Sequence, residues 1–358
     1  MLALQALLPE ALAAAAPTMS AAESRRIVAA VHRIGRLPEY VAHVRRVALD
    51  AARAVGQVPA LTEVDRRESA LDPFVKFAFE AADGLRFETV RIPLERAGRY
   101  AVCVSSQVGC ALGCAFCATG RLGLSRNLDT WEIVEQVRHV QQGLGSRART
   151  NGGGPRVHGV VFQGMGEPLS NIERVLGAIA VMTDPGAMAI DARAITVCTS
   201  GLPAGIRRLA ERAPRVRLAI SIGSAQPATR RQLMPVTTAH PLEAVLDAAR
   251  EHAEVTGLAP LWAVTLLNGV NDSTEHARDL AALVLDFRTS TGLRPRVSVI
   301  PYNAIADGDD DPFSPSSIER ENAFRTVLRD AGIPTHRRYS GGSDVAAACG
   351  QLALRSAP

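Results

Sequence analysis

The chain has 358 residues, 47% of them hydrophobic and 21% charged, with a formal net charge of +4. That length buries a large core in one α/β barrel or two modest domains, and so small a charge permits contact with nucleic acid without arguing for it. Basic residues are almost all arginine, Lys76 being the one lysine, and no apolar run approaches the roughly 20 residues of a membrane span.

The N-terminal run MLALQALLPEALAAAAP lacks a positive leader, and Pro9 and Glu10 interrupt it, so it reads as an amphipathic helix rather than a secretory signal. Residues 1 to about 75 read as Ala- and Arg-rich helices. We place an accessory region at 1–84 and a catalytic core at 85–358. LRFETVRIP (85–93) alternates like a strand. Strand patterns then recur at RYAVCVS (99–105), VHGVVFQ (157–163), AITVCT (194–199), VRLAISI (216–222), LWAVTLL (261–267) and RVSVIPY (296–302).

Helical patterns lie between them, with start signals at Asp129/Glu132, Asp272/Glu275 and Ser316/Glu319. Six β-then-α units predict an α/β fold, a parallel sheet curled into a partial barrel, with its chemistry where strands end and loops begin.

Four of the six cysteines fall between positions 103 and 117. Such spacing is unlike a secreted disulfide framework, so metal binding or catalysis is expected, with the cytoplasm as default location. Cys110, Cys114 and Cys117 form C-x3-C-x2-C directly after the first barrel strand. Three thiolates on one short loop suit three irons of a cubane whose fourth iron stays open. Structural zinc is the alternative and requires a fourth ligand, Cys103 or a distant histidine.

GMGEPL (164–169) follows the next strand. Its glycines permit close approach of a ligand, and Glu167 offers a carboxylate to a cationic ammonium; an ordinary Gly-Pro turn is the plainer reading. Near the end, GGSDVAAACGQL carries Cys349, by itself more simply a buried small hydrophobe than a nucleophile. Cys198 reads as an ordinary strand cysteine.

Together, CVSSQVGCALGCAFCATG, GMGEPLSN, IPYNAI and AACGQL resemble the RlmN/Cfr family of radical-SAM RNA adenine methyltransferases over residues 85–355. The resemblance implies a radical-SAM partial (βα)6 barrel with an N-terminal helical accessory region. It implies Cys110, Cys114 and Cys117 as ligands of a 4Fe-4S cluster, and Gly166, Glu167, Ser200, Ser221, Gly223 and Asn303 as contacts of S-adenosyl-L-methionine. It casts Cys349 as the residue that becomes methylated, Cys103 as the thiol that resolves the RNA adduct by a disulfide with Cys349, and Glu88 as proton acceptor. The implied product is adenine methylated at carbon 2 or 8 of rRNA or tRNA, made by a cytoplasmic monomer supplied by an external electron donor.

Three features depart from the family pattern. Residues 1–75 lack its usual accessory elements. Gly223 stands where histidine is usual. The segment ADGDDDP places Asp307, Asp309, Asp310 and Asp311 on the active-site side. Arg121, Arg126, Arg230, Arg231, Arg337 and Arg338 are expected to crowd the same rim and favour RNA. Two further readings remain open: the same chemistry on a small aromatic molecule, and a metal-stabilised RNA-binding protein without catalysis.

Overall fold

The structure is a computed structural model and describes residues 1–145, 154–305 and 310–354. Its centre is a ten-stranded sheet whose edges are Thr62–Glu68 and Thr335–Arg337. Seven strands run parallel: Arg99–Val104, Arg156–Phe162, Ile195–Thr199, Arg217–Ser221, Leu261–Leu266, Arg296–Pro301 and Thr335–Arg337. The first six are those expected from sequence. The seventh is only three residues long and too short to show a period.

Val, Ile and Thr dominate these strands, and their side chains are buried in near-continuous runs, as in Val160–Phe162 and Val297–Ile300. That is the composition of a parallel sheet covered by helices. Apolar stripes of the flanking helices complete the core, including Ile133, Val134 and Val137 of Thr130–Gly143 and Leu280, Val284 and Phe287 of Thr274–Thr291.

The helical N-terminal stretch ends at Val55, short of the residue 75 expected, so 1–84 is not helical throughout. Three helices, Pro9–Ala15, Ala21–Ile34 and Arg46–Val55, close over their own core of Leu12, Ile27, Val31 and Leu49. Thr62–Glu68 and Val75–Glu80 are then strands, and with Arg86–Pro93 they extend the sheet antiparallel to the first parallel strand. TEVDRRE has no apolar alternation to announce a strand. It is held by its partner, whose Val75, Phe77 and Phe79 are buried, and its charges suit an exposed sheet edge.

Two helix starts lie one residue later than expected. Ser273 caps the helix Thr274–Thr291 through the His276 amide, while Asp272 pairs with Arg320. Ser317, not Ser316, caps Ile318–Asp330. At Thr130–Gly143 the expected box holds, Glu132 accepting the Asp129 amide at 2.7 Å.

Candidate active site

The loop after the first parallel strand is built on glycine. Gly109 and Gly113 have φ of +77° and +63°, and a Cβ on Gly109 would overlap the Gly123 carbonyl. The Cys110 amide donates to that carbonyl at 2.7 Å, closing the loop that carries Cys110, Cys114 and Cys117. All three line one cavity at the ends of the parallel strands, with Gly166, Glu167, Ser200, Ser221, Gly223 and Cys349. Burial pushes the Cys110 thiol up to about 11 and Cys114 up to about 12, and Cys117 is also raised. Binding iron would therefore release protons from this loop. Among the described residues, no group of three or more His, Cys, Asp or Glu, these three included, is drawn together tightly enough to hold a single metal ion.

Glu167 sits on the cavity floor. Its carboxylate accepts the Leu169 amide at 2.9 Å and the Ser200 amide at 2.8 Å, tying the ends of the second and third parallel strands together. Burial nevertheless outweighs these bonds and raises it to about 7. Gly166 has φ +100°, and a Cβ there would lie 2.5 Å from the Gln107 side chain, whose oxygen accepts the Glu167 amide at 2.8 Å. Gly223 has φ +68°, and a Cβ would meet Met234 Sδ at 2.6 Å. A side chain at residue 223 would therefore be strained at this φ and would require Met234 to move.

A second cavity adjoins the first. Cys103 lines it, with Val90, Ile92, Gln163, Arg338, Tyr339 and again Cys349. Cys349 is thus common to both cavities. The Cys103 thiol is pushed up to about 12, first by burial and then by Cys349, with the Arg338 guanidinium opposing. Asn303 lines neither cavity; its side-chain amide donates to the Cys349 carbonyl at 3.1 Å and to Ser340 Oγ at 2.8 Å. Glu88 lines neither cavity either. It pairs with Lys76 at 3.0 Å and accepts the Ala353 and Leu354 amides at 2.9 and 3.2 Å.

The expected arginine rim is largely spent inside the protein. Arg126 pairs with Glu132 and Asp83, Arg337 with Glu321, and Arg230 is fully buried on the carbonyls of Ser200, Ser221 and Ile222. Arg121 and Arg231 are exposed. In the acidic segment, Asp307 and Asp309 lie outside the described residues. Asp311 turns inward to accept the Tyr302 hydroxyl at 2.8 Å and the Ile305 amide at 2.8 Å.

Sequence reasoning passed over Gln163 and left Cys198 as an ordinary strand residue. Cys198 lines the first cavity, and its thiol faces Gln163 Oε1 at 3.7 Å, while Arg338 donates to the same oxygen at 2.6 Å. Gln163 lies between the end of the second strand and GMGEPL, and that position is the signal that could have marked it.

The Radical SAM superfamily model matches residues 104–281, from the end of the first parallel strand through the cluster loop and Glu167 into the helix before the sixth. A protein of Sorangium cellulosum named "Probable RNA methyltransferase" is 57% identical over 98% of this chain and 92% of its own length. The dual-specificity RNA methyltransferase RlmN of Syntrophobacter fumaroxidans is 42% identical over 80% of this chain and 78% of its own. A crystal structure of a radical SAM methyltransferase from Sphaerobacter thermophilus superposes with a TM-score of 0.85 at 34% identity, covering 98% of this chain and 99% of that one. Cysteine loop, glycine-walled cavity and near-full-length likeness agree, and the chain belongs to the RlmN/Cfr family of radical-SAM methyltransferases.

Proposed function

We propose that this enzyme methylates carbon 2 or 8 of an adenine in rRNA or tRNA, carrying the methyl group on Cys349. The observation that carries this reading is the position of Cys349, in the wall of both cavities. All three loop cysteines line the first cavity; Cys103 lines the second, which shares Cys117 as well as Cys349 with the first. A thiol so placed can collect a one-carbon unit on one side and hand it to a base on the other.

Family membership implies S-adenosylmethionine and a 4Fe-4S cluster, and the residues present fit them: one buried and two half-buried cysteines on one glycine loop, beside a buried carboxylate and a wall of glycine and serine. When bound and reduced by an external electron donor, they supply a methyl group and a carbon radical, which the electron-poor adenine carbons require because they are not nucleophiles. Cys110, Cys114 and Cys117 would hold the cluster. Glu167, Gly166, Ser200, Ser221 and Gly223 would hold the S-adenosylmethionine, with Glu167 against its ammonium. Asn303 would reach it only by leaving the Cys349 carbonyl.

Cys103 then attacks Cys349 Sγ, so that the S–S bond forms as the S–C bond to the adenine breaks. Cys103 attacks as the thiolate, having lost its proton. The electron pair of the broken bond stays on the one-carbon unit, which takes a proton to become the methyl group of the released base. The disulfide is later reduced by two electrons and two protons from an external reductant. The role of Glu88 as proton acceptor requires its carboxylate to be released from the tail amides that occupy it. RNA as substrate is supported by the relatives' names and by the exposed ring of Tyr339 on the second cavity, a surface on which a base can stack. Anaerobic reconstitution followed by digestion of the RNA tests the reading. Methyladenosine labelled from S-adenosylmethionine is the expected product; labelled Cys349 with unlabelled RNA in every arm would refute it.

A further inference from the structure

Strand pairing sets Lys76 opposite Val90 and Val90 opposite Cys103, so these side chains stand abreast on one face of the sheet. Glu88, two residues from Val90, projects from the same face. The Cys349 segment covers that face: Val90 and Cys103 share the second cavity with Ala347, Ala348 and Cys349. Lys76 and Glu88 are 3% and 2% exposed and pair at 3.0 Å.

Among the described residues, the other hydrogen bonds of these two side chains reach the tail. Lys76 Nζ donates to the Ala346 carbonyl at 3.4 Å, and Glu88 Oε2 accepts from the Ala353 and Leu354 amides. The contacts therefore fall on both sides of Cys349 in sequence. At these anchor points Ala346 and Leu354 have φ of +51° and +59°, a left-handed backbone that residues with a Cβ avoid. Such a shape persists only when contacts outside the segment impose it. A buried ion pair is a weak source of stability compared with apolar packing, but a donor and an acceptor at fixed points can set the register of a neighbouring chain.

We infer that Lys76 and Glu88 form a latch that holds the segment 346–354 so that Cys349 faces both cavities, making them positioning residues for the methyl transfer. The inference rests on Cys349 as methyl carrier. A latch acts before RNA arrives, when Cys349 takes its methyl group. A proton acceptor acts afterwards, once the base is joined to Cys349.

The full-length, cluster-loaded protein and its Lys76→Met, Glu88→Gln and double variants are incubated with S-adenosylmethionine, and methyl on Cys349 is followed by peptide mass. Glu88→Gln presents an amide donor to lysine or to the tail N–H groups, so one side of the latch opens. Each single variant should methylate Cys349 at least tenfold more slowly at unchanged iron content. The double variant should be no slower than the worse single, and Lys76→Arg should recover part of the rate.

Glu88→Gln that methylates Cys349 at the unaltered rate and accumulates a protein–RNA adduct would overturn the latch, as would loss of iron in step with the rate. In the unaltered protein, hydrogen exchange at Ala353 and Leu354 should be slow; fast exchange there also overturns it. If the unaltered protein never methylates Cys349, the parent reading fails, and exchange alone decides the latch.

Discussion

Asn303 holds the carbonyl oxygen of Cys349 at 3.1 Å, so the loop after the sixth parallel strand fixes the backbone of the residue that carries the thiol. On the opposite side, the Ala118 amide donates to the Gly350 carbonyl at 2.8 Å and Thr119 Oγ1 to the Leu352 carbonyl at 2.5 Å, which joins the cysteine loop to the same segment. Asn303→Ala should therefore slow methylation of Cys349 while leaving S-adenosylmethionine affinity within about threefold, a change of well under ~1 kcal/mol. Equilibrium binding and single-turnover mass analysis separate the two. A large loss of affinity at unchanged rate would return Asn303 to the cofactor contacts.

Gly223 is fixed by its φ of +68° and by Met234, whose sulfur a Cβ would meet at 2.6 Å. Met234 packs in one cluster with Cys114. Gly223→Ala should destabilise the fold by about 1–3 kcal/mol and weaken S-adenosylmethionine binding. Adding Met234→Ala should recover part of the binding, because the obstructing sulfur is gone. Thermal melts and titration of the double variant check this.

Cys103→Ala removes the thiol that would free the base. RNA should then remain attached to Cys349, visible as a protein band of retarded mobility that ribonuclease collapses. Cys198→Ala should leave no such adduct, since Cys198 lines only the first cavity whereas Cys103 lines the second with Cys349. A Cys103→Ala protein that turns over normally would assign resolution to another thiol.

His32 lies at the contact between the helix Ala21–Ile34 and the core, with neither ring nitrogen hydrogen-bonded. Burial, with the Arg138 guanidinium adding to it, lowers the ring from 6.5 to about 4. The folded state therefore binds fewer protons than the unfolded one between these values. Stability from this group is complete above pH 6.5 and is lost as pH falls towards 4, by roughly 3 kcal/mol. His32→Leu should remain more stable than the unaltered protein at pH 4.5 and lose that advantage at pH 7.5, as read from denaturant midpoints.

Sequence alone located the six parallel strands because each is a short β-branched run bounded by loop residues, and it singled out the three-cysteine loop because cysteine spacing survives without any structure. The hairpin Thr62–Glu80 was not legible, since TEVDRRE becomes a strand only through its apolar neighbour. The contacts of Asn303 and Glu88 were not legible for a related reason: their partners, Cys349 and residues 353–354, lie far along the chain, and no local pattern records a hydrogen bond of that range. The rim arginines were overcounted, because charge in a sequence does not reveal which carboxylates or carbonyls already engage it.

The central claim is that Cys349 carries the methyl group. The reconstituted protein and its Cys349→Ala variant should be compared with methyl-labelled S-adenosylmethionine, reductant and RNA, measuring 5'-deoxyadenosine and labelled RNA together. The account predicts that Cys349→Ala still cleaves S-adenosylmethionine and leaves the RNA unlabelled. Labelled RNA from Cys349→Ala would contradict it.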